Sequence, residues 1–284
     1  MNPHPTTTIG LLHPGAMGAA VGASAVAAGA HVLWVSEDRS EASRARAEAA
    51  GFEDVHWLNG LVNQSRMILS ICPPESAVEV AESVRMLGYE RIYVDCNAIS
   101  PGTSRRIGEI VEHTGADYVD GGIIGGPPSA ERSGATRLYL SGAEAPRVAR
   151  YLQGGPLEVV VLDAPVGAAS ALKVAYAAWT KGTSALLANI EALALREGVM
   201  DALEQEWAKS QPRLLAQADG LGGAAAKAWR WVGEMEEIAA TFEADGLPGG
   251  FHEASAEVFR RLAHFKDDPD APGGPALAKH LLRE

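Results

Sequence analysis

Between residues 6 and 162, short unbroken apolar runs of strand length alternate with stretches whose apolar positions recur at helical spacing. The runs at 6–12, 31–35, 66–71, 91–95, 118–124, 137–141 and 157–162 predict strands. The stretches at 16–28, 39–50, 75–87 and 145–152 predict helices, and Pro101 opens another. After Pro165 no strand signal returns, and helices are expected at 167–197, 199–209, 211–219, 222–245 and 250–263. A Pro/Gly-rich linker and a short terminal helix, 276–283, follow. The alternation predicts an α/β domain of Rossmann type over 1–163, and the change of period an all-helical domain over 164–284.

The helix from Gly167 would span some 45 Å at about 1.5 Å per residue, too long for one small domain to bury. It is expected to be the spine of the second domain. With Trp179, Trp207, Trp229 and Trp231 as further apolar surface, it predicts a homodimer.

A chain of 284 residues with 47% hydrophobic and 21% charged composition is expected to form two globular domains. A net charge of -12 argues against a nucleic-acid or anionic-membrane surface. Cys72 and Cys96 have no paired spacing, so neither a disulfide framework nor a metal site is predicted, and a reducing cytoplasm fits. Residues 1–5 read as a loose tail without a signal peptide, and glycines break the apolar run 16–30, so no membrane span is expected.

The first candidate site is the turn from Gly10 to Gly18. Gly15 and Gly18 hold the last two places of a G-x-G-x-x-G turn, with His13 in the first. Such a turn lets backbone amides approach a pyrophosphate that sits on the helix N-terminus. Gly10, His13, Pro14, Gly15, Ala16, Met17 and Gly18 are therefore candidate cofactor contacts. About twenty residues on, where the adenosine ribose is read, stand Ser36, Arg39 and Ser40. Hydroxyl and guanidinium groups suit a 2′-phosphate, which favours NADP(H). Glu37 and Asp38 speak for NAD(H), and capping of the next helix is a parallel role for Ser36 or Asp38.

Cys72, Pro73 and Pro74 end one strand at the carboxyl edge of the sheet, where cofactors lie in doubly wound folds. Asn97 and Ser100 follow the next strand, close to the expected nicotinamide, and Ser100 is equally placed to cap a helix. The glycine-dense Gly121-Gly122-Ile123-Ile124-Gly125-Gly126 exposes amides that could grip a carboxylate or oxyanion. Lys173 is the one lysine on the apolar opening of the long helix, a setting that demands a function, a partner or a shifted pKa.

Four motifs occur in order: the turn ending in Gly15-Ala16-Met17-Gly18, Asp95-x-Asn97-Ala98-Ile99-Ser100-Pro101, Asp120-Gly121-Gly122-Ile123-Ile124-Gly125-Gly126 and Gly167-x5-Lys173. In these the chain resembles the β-hydroxyacid dehydrogenase superfamily. Its second half, around Lys173-Val174-Ala175-Tyr176 and Trp229-Arg230-Trp231-Val232-Gly233-Glu234, resembles a less characterised branch labelled 6-phosphogluconate-dehydrogenase-like. The resemblance implies NAD(P)-dependent hydride transfer between a nicotinamide and a β-hydroxy acid or related carbonyl. It makes Lys173 the general acid/base, with Asn97 and Ser100 beside it and Asn97, Gly125 and Gly126 on the substrate. Tyr176 and Ala177 occupy the places where better-known members carry an asparagine, and Ile124 stands where they carry a serine. The acidic Glu234, Glu236 and Glu237 replace a later Lys-Asp pair. Tyr176 and Glu234 are thus candidate substrate contacts, and 6-phosphogluconate or a simple hydroxyisobutyrate is not the expected substrate. An imine reductase, favoured by the acidic stretch and opposed by Lys173, and a non-catalytic nucleotide-binding protein are the alternatives.

Overall fold

The computed structural model describes residues 7–282, so the expected tail 1–5 and the ends of the first strand and last helix, at Thr6 and Arg283, lie outside the described residues. Two compact units divide at Lys173 and Val174, ten residues later than the boundary the sequence suggests and inside the long helix. The first turn of that helix therefore belongs with the sheet.

The first unit runs β1 (Thr8–Leu12), α1 (Ala16–Ala27), β2 (His31–Trp34), α2 (Glu41–Ala49), β3 (Glu53–Asp54), α3 (Leu58–Gln64), β4 (Met67–Ser70), α4 (Ala77–Met86), β5 (Ile92–Asp95), α5 (Pro101–Glu112), β6 (Asp117–Ile124), β7 (Arg137–Ser141), α6 (Ala145–Leu152) and β8 (Glu158–Val161). Its eight strands lie in the order β3-β2-β1-β4-β5-β6-β7-β8. All neighbours are parallel except β6 and β7, where Asp120 pairs with Ser141. The order reverses at β1, so β1 and β4 flank the crevice in which doubly wound sheets bind ligands.

Both faces of the sheet are covered, which is why its central strands read as continuous apolar runs and not as alternation. Met67 and Leu69 of β4 pack on one face with Val21, Ala25, Val148 and Leu152, while Ile68 between them packs on the other with Leu61, Ala81, Ile107 and Val111. Neither β3 nor α3 is legible in the hydrophobic pattern. β3 has two residues, and α3 carries Asn59, Gly60 and Asn63 but buries Leu61 and Val62 beneath the sheet.

The second unit continues α7 (Ala168–Arg196) through α8 (Met200–Ser210), α9 (Arg213–Asp219), α10 (Gly222–Ala225), α11 (Ala228–Ala244), α12 (Gly250–Leu262) and α13 (Gly274–Ala278). Its core joins Ala185, Ala188 and Ala192 of α7 to Met235 and Ile238 of α11 and Ala256 and Phe259 of α12. Trp231 meets Phe259 edge-on at 5.2 Å. The single helix expected over 222–245 is broken into α10 and α11. The Ala226 carbonyl accepts from the Asp267 amide at 2.9 Å, and Gly222 passes so near the Ala271 carbonyl that a Cβ would lie 2.1 Å from it. Among the described residues no helix is long and apolar enough to cross a membrane.

Candidate functional site

The crevice begins at the turn between β1 and α1. His13 adopts a left-handed conformation at φ 68°, and its carbonyl accepts from the Gly15 amide at 2.8 Å. A Cβ on Gly18 would sit 2.4 Å from that same carbonyl, so only glycine lets α1 start this close to the turn. No side chain caps α1 and its first turn contains no acidic residue, which leaves the first amides free for an anion. The buried Nδ1 of His13 has no partner. Burial, aided by the Arg39 charge, pushes the imidazole down to about 4, so it is neutral at pH 7. An open helix N-terminus, an orphaned ring nitrogen and a nearby guanidinium fit the diphosphate and adenosine side of a dinucleotide.

Three groups the sequence reading did not single out hold this region. Arg46 donates from Nε to the Pro14 carbonyl at 3.0 Å and fixes the turn. Arg44 donates from Nη2 to the Ser36 carbonyl at 2.8 Å, and the Ser36 hydroxyl meets His56 Nδ1 at 3.1 Å. Ser40 caps α2, accepting from the Ser43 amide at 3.3 Å. The sequence pattern over 39–50 predicts a helix but assigns Arg44 and Arg46 no role. Only the fold turns Arg44 and Arg46 inward.

At the ends of β4 and β5 the polar groups bind one another. Asn97 is 2% exposed; its Oδ1 accepts from the Cys72 amide at 2.6 Å, and its Nδ2 donates to Asp95 at 2.8 Å and to Ser70 at 3.2 Å. It thereby ties the two strand ends together directly before Pro73 and Pro74. Burial pushes Asp95 up to about 7 despite the bonds from Asn97. Burial, and then the Asp95 charge, pushes the Cys72 thiol up to about 12, which removes it as a nucleophile. Ser100 caps α5, accepting from the Thr103 amide at 3.0 Å.

Lys173 stands on the first turns of α7 beside β6, and its ammonium donates to the Ile123 carbonyl at 2.7 Å. Desolvation pushes it down to about 8, opposed by the neighbouring Cys96. Helix and strand approach so closely that a Cβ on Gly122 would lie 2.5 Å from the Ala169 carbonyl. Just beyond, Gly125 takes φ 123°, a conformation reserved for glycine, and the Gly126 carbonyl accepts from Thr136. Beneath them Asp120, fully buried, gathers donors from Ser104, Ser141, Gly167 and Ser170.

The glycine turn, the strand ends, Gly125, Gly126 and Lys173 are thus all carried by the first unit. Tyr176 and Glu234 belong to the second. Tyr176 is exposed, and Glu234 forms an ion pair with Lys181, which also lies 5.4 Å over the Trp231 ring. Glu236 pairs with Arg260 at 2.8 Å.

A mainly parallel, doubly wound sheet with an uncapped glycine turn at its switch point defines a dinucleotide-binding domain, here followed by an all-helical region. The chain belongs to the family of the NAD binding domain of 6-phosphogluconate dehydrogenase, whose model matches residues 8–152, and residues 194–262 match a domain of unknown function, DUF1932. This agrees with the resemblance to a divergent dehydrogenase branch, and the domain is one that takes a nicotinamide cofactor.

An uncharacterised 28.5 kDa protein of Methanothermus fervidus is 29% identical over 165 residues, 58% of this chain and 62% of that one. The chain thus matches about three-fifths of that relative's length. A conserved protein from Sinorhizobium meliloti 1021 superposes with a TM-score of 0.74 at 25% identity, covering 97% of each chain. Mycobacterium tuberculosis 3-hydroxyisobutyrate dehydrogenase superposes at 0.73 and 18% identity over 99% of this chain and all of its own, and so shows the shared fold.

Proposed function

We propose that the protein is an NADP(H)-preferring oxidoreductase that interconverts a β-hydroxy acid, or a related small alcohol, with its carbonyl counterpart. The observation that carries this reading is Lys173, an amine near the carboxyl edge of the sheet whose pKa is pushed down to about 8. Such a group is protonated often enough at neutral pH to donate and basic enough to accept. A bound nicotinamide supplies or accepts the hydride. In the reducing direction Lys173 gives its proton to the carbonyl oxygen as negative charge develops there; in the oxidising direction, as the free amine, it takes the hydroxyl proton. Reduction is therefore expected to slow as pH rises through about 8, and oxidation to quicken. Gly125 and Gly126 offer backbone groups to a carboxylate, while Asn97 and Ser100 keep the neighbouring strand and helix ends in place.

Arg39, close enough to His13 to lower its pKa, supports the phosphate-bearing cofactor, and Arg44 adds a second guanidinium at Ser36. Steady-state assay with NADPH and NADH against β-keto acids, aldehydes and cyclic imines tests the function. Turnover of a carbonyl substrate supports it. Turnover of imines alone refutes it in favour of an imine reductase. Arg39→Ala is expected to raise KM for NADPH about tenfold and leave KM for NADH nearly unchanged, since one charge-assisted phosphate contact contributes about 1.5 kcal/mol. Equal loss for both cofactors would remove Arg39 from the 2′-phosphate.

The same reading takes the working form to be a homodimer, in the cytoplasm, where the free thiols of Cys72 and Cys96 stay reduced. Trp179, Leu186, Ile190 and Leu193 form an exposed stripe at helical spacing on α7, Trp179 at 72% exposure. Trp179 and Leu186, with Phe251, His252 and Val258 of α12, also line an open apolar cavity of about 650 Å³. A monomer would leave all of this in water. Trp179→Glu is expected to convert a dimer to a monomer in light scattering at micromolar concentration. A wild-type chain that is already monomeric and fully active would contradict the assignment.

A further inference from the structure

We propose that Asp120 is the positioning residue for Lys173: its carboxylate seats the first turn of α7 on β6, and this seat holds the lysine ammonium against the Ile123 carbonyl. Five hydrogen bonds end on this one side chain. Oδ1 accepts from the hydroxyls of Ser104 at 2.8 Å and Ser170 at 2.5 Å. Oδ2 accepts from the Ser141 hydroxyl at 2.9 Å and from the backbone amides of Gly167 and Ser170, each at 3.0 Å. Ser141, its registered partner on β7, passes the contact on, because its hydroxyl also accepts from the Ala169 amide at 3.1 Å.

The opening amides of a helix have no partner within it and carry the positive end of its dipole. Two of them in α7, on Ala169 and Ser170, and the amide of Gly167 just before it are met from below by Asp120 and the serine it holds. A carboxylate from a buried strand thus does what an N-cap side chain does elsewhere. The geometry then fixes the lysine. Asp120 and Ile123 lie three residues apart on β6, and Ser170 and Lys173 three apart on α7, so strand and helix are pinned at two matched points. Gly122, between the strand points, leaves the gap that lets them touch.

Released from the first point, the turn frays. Lys173 then gains water and freedom, loses its alignment and returns toward the pKa of a solvated lysine. The catalytic consequence rests on the proton-transfer role proposed above, but the positioning itself does not, so the test reads the lysine and not turnover.

Competitive acetic anhydride labelling of the intact protein across the neutral-to-alkaline range, followed on the peptide that carries Lys173, gives its apparent pKa. In Asp120→Asn this value is expected to rise by about one unit or more. Amide exchange in residues 167–170 is expected to quicken by about tenfold or more. Ser170→Ala, which removes one donor and keeps the backbone contacts, should move both readouts the same way by less and serves if Asp120→Asn does not fold. Ser104→Ala removes a donor outside α7. It should lower Tm without moving the Lys173 profile, which separates seating from general loss of stability.

If a folded Asp120→Asn, or Ser170→Ala in its place, keeps the wild-type lysine profile and the wild-type exchange, the proposal is overturned whatever the activity does. If the lysine profile shifts while kcat stays at the wild-type value, Asp120 positions Lys173 as proposed and it is the proton-transfer role that fails.

Discussion

Lys173→Met is expected to lower kcat by about 10²–10⁴-fold, the usual cost of removing a positioned general acid or base. NADPH affinity and Tm should stay near wild type. Methionine keeps the length and apolar stem of lysine, and the contact it gives up is one hydrogen bond to the Ile123 carbonyl. The proposed cofactor contacts are on the turn before α1 and near Arg39, away from Lys173 in sequence. A stopped-flow measurement of the hydride step with NADPH, beside a melting curve, checks all three quantities. If the variant unfolds, the lysine was needed for the seat of α7. If it turns over normally, the proton comes from another donor, and Tyr176, one helical turn away, becomes the group to remove.

Glu191→Gln is expected to stabilise the protein above neutral pH and to flatten its pH dependence. Glu191 lies on α7 within the helical unit, is 1% exposed, and has an Oε2 without a partner. Burial, and then the charges of Glu204 and Asp219, push it from 4.5 up to about 7. A carboxylate whose pKa is raised by folding binds more protons in the native state. Its contribution is therefore full below about 4.5 and is lost as pH rises through about 7. At about 1.4 kcal/mol per unit, ionisation of this group costs up to about 3 kcal/mol at alkaline pH. Glutamine has the same shape and no charge to bury, so the Tm difference between variant and wild type should be small at pH 5 and several degrees in favour of the variant at pH 8. A difference that does not change with pH would show that Glu191 ionises against no such penalty.

The sequence by itself determined most of the order of elements, all but β3, α3 and the break between α10 and α11, and it pointed to the glycine turn as the candidate cofactor site. Apolar runs of strand length such as those around Ile9, Ile68 and Val94 are buried on both sides of the sheet, so their pattern has one reading. The glycine turn is equally legible, because Gly18 is dictated by a local contact with His13, five residues back. The loss of strand signal after Pro165 is a local property too, and it announced the helices.

What the sequence did not determine are the contacts made between residues distant along the chain. Asp120 and Ser170 are fifty positions apart, and nothing in either motif says that a strand carboxylate caps a helix. Arg46 reads as one charge among several on a polar helix until the fold sets it against Pro14. Ser100 was legible as a cap of the helix that Pro101 opens, and it does accept from the Thr103 amide, whereas nothing near Asn97 in sequence announced its bond to the Cys72 amide. The domain boundary moved for the same reason. Helical periodicity runs unbroken through Lys173, whereas the contacts that assign its first turn to the sheet come from β6 and β7. Local pattern fixes secondary structure because periodicity and steric fit act over a few residues; which buried polar groups satisfy one another is settled only when packing brings them together in the absence of water.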